Sequence, residues 1–398
     1  STQSFALGSG GKYQIGTTFL NPADIPSGAS LNLFEHRLFS PAYPAAGAWS
    51  QPSFVSNSST NVVSKDNIIW GDFVVGEPNT VSFYSINNGN WEEINCWSLS
   101  GYTTNNPPTR IPNQSTDIVH IGNGKTITLV DDGTYPNIRN VIVEKYNNLP
   151  GYLQINGQLT YIRGLVFQLD DSCSLGIQHI DGLRPVADGN VGPIQTNARL
   201  FGVSRYIFNS NTGNQITGKA LPNYVQSIIV DNSTNSSNKK VFLTNYPGAP
   251  TVNIIDSLFI RQGTFNSGNR NIRLLGNLVI DSIFNDGKYE ALSNKVIIDS
   301  NLTHKIVLKN KSGLSLFDLE LANGTSEVYR EGSKITYNTH LNVANSLNFS
   351  GPAIIELKDS VNLYVSNSDV NSIINYASDR YVRTSRTSGM LIRNIGTS

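Results

Sequence analysis

Charge is what this 398-residue sequence has least of. Asp, Glu, Lys and Arg make up 15% of it, against roughly 25% in an ordinary soluble domain. Its 29 basic residues balance 29 acidic ones. There is thus no basic excess to neutralise nucleic-acid phosphates, and none to draw the chain to an anionic membrane. No apolar run reaches the roughly 18–20 residues of a membrane span, which argues against insertion. No secretory leader precedes Ser1, so the chain reads as processed or as a segment of a longer polypeptide.

Cysteine is almost absent, with only Cys96 and Cys173. Neither sits in a CxxC, which argues against a zinc or redox site. Two buried, unpaired small hydrophobes are one reading. A disulfide in an exported protein is the other, and a separation this large does not predict proximity. The five histidines (His36, His120, His179, His304 and His340) show no HxH or HExxH spacing. His120 and His340 fall on outward strand positions and are expected to be solvated. Neither a GxSxG elbow nor a GxxxxGK[ST] loop occurs. Gly8-Ser9-Gly10-Gly11 lacks the strand-to-helix context of a phosphate cradle.

Helical spacing of apolar residues is also missing, and alternation with period two takes its place. Asp117-Ile118-Val119-His120-Ile121, Ser227-Ile228-Ile229-Val230 and Lys305-Ile306-Val307-Leu308 are short, rich in β-branched residues and bounded by Gly, Asn, Asp or Ser. This is the strand signature, and the chain reads as all-β.

The alternation repeats along the chain. A template of apolar-x-apolar, three intervening residues, then apolar-x-apolar fits Leu153, Ile155, Leu159 and Tyr161. It fits Val252, Ile254, Leu258 and Ile260, and twenty residues later Ile272, Leu274, Leu278 and Ile280. It fits again at Ile335, Tyr337, Leu341 and Val343, and at Ile355, Leu357, Val361 and Leu363. Two short strands joined by a polar corner cannot bury an apolar face alone, but stacked copies can. A period near twenty with β content fits one coil of a parallel β-helix. Asn and Ser at the corners suit ladders between coils. The leucine-rich-repeat consensus is absent, and a β-sandwich is the plainer alternative.

Residues 1–85 lack the repeat and carry Pro22, Pro26, Pro41, Pro44 and Pro52 together with Trp49 and Trp70. They are read as a small β domain or an irregular cap. Residues 86–398 are read as the β-helix, with a long loop excursion near 182–224, a strand pair around Arg199–Phe208 inside it, and a further polar loop over Asn232–Asn238. Trp91 and Trp97 are expected to plug the open end of the first coil as a structural cap. The competing reading is a sugar-stacking platform.

Gly89-x-Trp91, Trp97, Pro112 and the run Asp117-Ile118-Val119-His120-Ile121-Gly122-Asn123-Gly124-Lys125-Thr126-Ile127-Thr128-Leu129 resemble the opening of β-helix modules in large Bacteroidetes cell-surface adhesins exported by the type IX secretion system. Tyr381-Val382 and Gly389-x-Leu391-Ile392-Arg393 resemble their close, and Trp70-Gly71-Asp72-Phe73-Val74-Val75-Gly76 a linker before them. The resemblance covers roughly residues 70–398. The Phe-Pro-Val-Gly segment that often follows such modules and the sorting domain of these secreted proteins are both absent. The resemblance implies a right-handed helix and a segment of a longer extracellular surface protein used in gliding motility or attachment. It implies no catalytic residues.

β-Helices also carry polysaccharide-degrading chemistry, so the fold does not decide function. An inverting glycosidase needs two carboxyls about 6.5–9.5 Å apart. The best candidates are Asp170, Asp171 and Asp181, with His179 and Arg184 nearby, but the flanking Asn-x-Asp and Arg-x-Lys of polygalacturonases are missing. On a strand Asp170 and Asp171 would point to opposite faces; a coil corner and the following loop suit them better. Asp131-Asp132-Gly133 is a turn signal first and a weak calcium ligand pair second. Calcium is thus the one cofactor left open. No Thr-x-Thr ladder suggests ice binding. The expectation is a non-enzymatic solenoid module of an extracellular surface adhesin or filament, with surface or glycan ligands as partners. The alternative is a β-helix glycoside hydrolase or lyase.

Overall fold

The twelve-residue strand Thr251–Gln262 shows how the chain is built. Val252 and Ile254 point inward, Ile255 and Asp256 form an exposed corner, and Leu258 and Ile260 point inward again. The strand pairs in parallel with Asn271–Leu274, placing Val252 beside Ile272 and Ile254 beside Leu274. Beyond the corner it pairs with Asn277–Ile280, placing Leu258 beside Leu278 and Ile260 beside Ile280. The twenty-residue repeat is one coil of a β-solenoid.

In the computed structural model the described residues are 80–130, 136–188, 192–232, 239–244, 251–281, 287–309, 313–331, 340–384 and 389–395, together with six strands within residues 2–76. All regular structure among them is β, apart from two single 3-10 turns. The chain divides into two compact units, Ser1–Val81 and Ser82–Ser398. In the first, Thr2–Leu7, Tyr13–Thr18, Asn61–Asp66 and Phe54–Ser58 form an antiparallel sheet, and Glu35–Phe39 pairs with Asp72–Gly76. The expected boundary was residue 85. Val81–Ser85, however, joins the first sheet of the solenoid.

Apart from two short antiparallel pairs, Val81–Ser85 with Trp97–Ser98 and Lys145–Tyr146 with Leu149–Pro150, the second unit winds through parallel sheets in which strands pair with their counterparts one coil on. This makes a stack rather than a barrel. On one face the successive partners are Ile127, Leu153, Leu175, Tyr206, Ile228, Leu258, Leu278, Ile306, Val328 and Leu357. Each of these ten is at most 1% exposed, so the core is a continuous column between the faces. On this face the coil length varies from 20 residues (Leu258 to Leu278) to 31 (Leu175 to Tyr206). The seventeen-residue strand Leu314–Arg330 traverses all three faces of one coil.

Two expectations are corrected by the register. Leu341 lies beside Leu363, twenty-two residues on, and not beside Val361; Ile355 lies beside Ser326. Ile335 and Tyr337 lie outside the described residues. Residues 182–224 are not one excursion either. Ile194–Phe201 and Arg205–Phe208 pair in parallel with Ile162–Leu169 and Ser174–Ile177, as an ordinary coil does. The segment 233–238 of the expected polar loop lies outside the described residues. Within the template, Leu159 is 65% exposed and turns outward at its corner.

The composition has a structural use. Asn88, Asn214, Asn271, Asn277 and Asn362 each accept, through Oδ1, the backbone N–H of a residue about one coil further on. Many of the charges on the faces also pair between coils: Arg261 with Asp231, Arg273 with Asp299, Lys295 with Glu320, Lys358 with Glu327, and Lys240 with Glu290 two coils away.

Candidate functional site

Asp170 and Asp171 follow the strand Ile162–Leu169 and lie in the corner after it, where Ser172 takes a φ of 69°. The corner is the placement expected for this pair, and the opposition of neighbouring side chains that a strand would impose does not apply there. In the turn both line one groove, with Lys145, Gln168, Leu169, Arg199, Leu200, Phe201 and Gly202. The groove opens about 770 Å³ to solvent. It forms because Ile194–Phe201 is the last strand of its sheet, which leaves Leu200 53% exposed. A second hollow of about 340 Å³ shares Arg199 and Phe201 and adds Pro185, Val186, Ala220 and Pro222.

Hydrogen bonds fix the groove's walls. Asp171 Oδ1 accepts the Val203 N–H at 2.6 Å, and Asp170 Oδ1 accepts from Gln168 Nε2 at 2.7 Å. Gly202 is required by closeness: a Cβ there would sit 2.6 Å from the Leu169 carbonyl oxygen and 2.7 Å from Asp171 Oδ1. Arg199 is turned away from the carboxylates, and its Nη1 donates to the carbonyls of Arg184 and Pro185 at 2.7 and 2.9 Å. Burial lowers the pKa of that guanidinium. Among the described residues, Asp170 and Asp171 form no ion pair, in contrast to Asp231, Asp299, Glu290 and Glu320.

Asp181 does not join them. It takes a hydrogen bond from Arg184 Nη2 at 2.8 Å and lies 3.8 Å from His179 Nδ1, and Arg184 also reaches Asp188. Burial pushes the His179 pKa down against the opposing pull of Asp181. The residues grouped in the sequence thus separate into a groove and an Arg184-centred ion-pair cluster.

Trp91 and Trp97 are both buried, with ring centroids 5.2 Å apart in an edge-to-face arrangement. Trp91 Nε1 donates to the Pro112 carbonyl and Trp97 Nε1 to the Trp91 carbonyl. Neither ring offers a face to a sugar. Cys96 and Cys173 are buried and unpaired.

A second polar cluster was not anticipated. His120 is outward on its strand, yet it is stacked on Tyr84 at 4.6 Å and sits 2.9 Å from Glu144 Oε1, so it is not simply solvated. Tyr102 donates to the same oxygen and packs on Tyr146. His304 is buried, and His340 meets Tyr364 edge-on. Asp131 and Asp132 lie outside the described residues. Among the described residues, no group of three or more His, Cys, Asp or Glu side chains is arranged to hold a metal, and no helix is long and apolar enough to cross a membrane.

Sequence reasoning missed Lys145, Gln168, Arg199, Leu200 and Phe201. No local signal marks them, because they meet only through the register that sets Leu169 beside Phe201. In comparisons with known proteins, the chain matches no family model, no curated protein and no solved structure.

Proposed function

We propose that this chain is a non-enzymatic, stiff solenoid module of a long extracellular surface adhesin or filament, acting in cell attachment with surface glycans as partners. The observation that carries the reading is the use of polar residues between coils. Asn side chains and ion pairs of the faces tie each coil to the next. Residues so engaged hold a rod together under load, and a rod can present many weak contacts whose sum is firm. The resemblance of the opening and closing segments to type IX-exported Bacteroidetes adhesin modules supports a cell-surface location.

The test is attachment itself. Beads coated with the protein are expected to adhere to glycan-bearing surfaces and to detach only under sustained pulling, while beads coated with the heat-unfolded chain do not. Equal adhesion of the two would overturn the reading. One observation favours a second reading, a polysaccharide-degrading enzyme: Asp170 and Asp171 share a groove with Lys145. A reducing-end assay, with ultraviolet detection of unsaturated products, separates the two on neutral and acidic polysaccharides with and without calcium. New chain ends that vanish in Asp170→Asn would establish the enzyme, and no product leaves the adhesin.

A further inference from the structure

We infer that the groove between the corners following Leu169 and Phe201 binds a neutral, hydroxyl-rich glycan. This rests on the attachment reading and deepens it by naming a site and a ligand chemistry. The groove's lining balances in charge, with Asp170 and Asp171 against Lys145 and Arg199. Arg199 already spends Nη1 on two backbone carbonyls, so it is not aimed at an incoming anion. A polyanion would meet two carboxylates with only Lys145 to offset them, and Lys145 leaves a polycation at most one net negative charge to pair with, too little to select it.

What the groove does offer is acceptors. Asp170 and Asp171 each use Oδ1 within the protein and, among the described residues, keep Oδ2 without a hydrogen bond. Sugar hydroxyls are donors of the right kind, and a hydrogen bond to a carboxylate is stronger than one between neutral groups. Lys145, which has no ion-pair partner among the described residues, supplies a donor at the rim. Leu200, half exposed beside Phe201, gives the apolar patch that the C–H face of a sugar ring covers. Together these form an open trough with polar groups on its walls and an apolar patch beside them, suited to a chain that lies along it.

The experiment is affinity electrophoresis and calorimetry of the intact protein. The probes are the neutral polysaccharides dextran, mannan, galactan and mixed-linkage β-glucan, the polyanions alginate and heparin, and polylysine. Binding to at least one neutral probe is expected, and it should be unchanged between about 0.1 M and about 1 M salt, because no net charge is being screened. Asp170→Ala and Leu200→Ser should each weaken that binding at least about tenfold. Both side chains lie at the groove surface, and native circular dichroism of each variant checks its fold. Leu302→Ser, an exposed apolar residue outside the groove lining, should bind as the parent does. The assignment falls if no neutral probe binds, if both groove variants retain full affinity, or if polyanion or polylysine binding that is lost in high salt dominates. Bead adhesion that persists in groove variants would remove the groove and leave the attachment reading standing.

Discussion

His120 Nδ1 lies 2.9 Å from Glu144 Oε1, one coil away, and Tyr102 donates its hydroxyl to that same oxygen at 2.7 Å. Tyr102 comes from the segment between Ser98 and Asp117, so Glu144 fastens this segment to the first sheet. Gly122 makes room for it, since a Cβ there would fall 2.6 Å from the Tyr102 hydroxyl oxygen. Tyr102→Phe is therefore expected to cost about 1.5–2 kcal/mol, the lower part of the range for a hydrogen bond to a charged group. In a double-mutant cycle with Glu144→Gln the two losses should not add, because they share one bond. Urea midpoints of the three variants check this, and simple additivity would show that Tyr102 is held by packing alone.

Glu144 also belongs to a set of carboxyls that sets an acid limit. Burial opposes its ionisation, but hydrogen bonds from His120 and Tyr102 outweigh that and hold its pKa below the ordinary value near 4.5. Glu290 is held low by Lys240 and Asn266. Glu320 is held low by Lys295 and Ser350 in spite of desolvation. Folded pKa values below the unfolded ones mean that the unfolded chain binds more protons in that interval. The stabilisation is thus fully present above the unfolded value and is lost as pH falls through the folded ones. The melting temperature should hold steady on this account from neutral pH to about 5 and fall as the pH drops below about 4.5. Glu320→Gln should reduce the steepness of that fall; an unchanged slope would assign it to other groups.

The core predicts a contrast that the sequence alone does not. Leu159 and Leu278 fill equivalent template positions, yet Leu159 is 65% exposed and Leu278 is 1% exposed. Leu278→Ala should cost about 2–5 kcal/mol through the cavity it leaves. Leu159→Ala should stay within about 0.5 kcal/mol, as surface substitutions do. Denaturant unfolding of both measures the difference, and equal losses would mean that the corner after Asn156 closes over Leu159 in solution.

That contrast shows where the sequence is legible. The stretch from Val252 to Ile280 could be read directly because its coil carries no insertion, so sequence spacing equals spatial register. From Ile228 to Leu258 the coil takes thirty residues, and from Leu341 to Leu363 twenty-two. Where corners grow, a fixed-period template slips, as it did in pairing Leu341 with Val361. The all-β class survived this because alternation is local. The groove did not, because Lys145, Asp170 and Leu200 lie on three successive coils and meet only once two loop lengths are known. Asp170 and Asp171 were picked out as residues, but their common orientation depends on the strand having ended at Leu169.

Cys96 and Cys173 are unpaired and left inert by burial, which pushes both thiols up to about 11. Since the thiolate is the reactive species, the folded protein should show no rapid reaction with a thiol reagent at neutral pH and two equivalents after unfolding. Reductant should leave the melting temperature unchanged. A fast-reacting native thiol would place one of the two at the surface.

The corners carry the last constraint, and Gly276 states it most sharply. This glycine faces the corner of the preceding coil, and a Cβ would sit 1.9 Å from the Asp256 carbonyl oxygen and 2.7 Å from that of Ile255. Its own carbonyl accepts from His304 Nδ1 at 2.9 Å, which joins it to the coil that follows. Three coils thus meet where only a hydrogen fits. Gly276→Ala must push two corners apart against the ladders on either side, and a loss of about 1–3 kcal/mol is expected, as for overpacking. Gly213, with nothing within 4 Å of its would-be Cβ, is the control. Gly213→Ala should change stability by no more than about 0.5 kcal/mol. Equal tolerance of the two substitutions would show that the coils can separate at the corner, and would count against the stiffness on which the proposed attachment role depends.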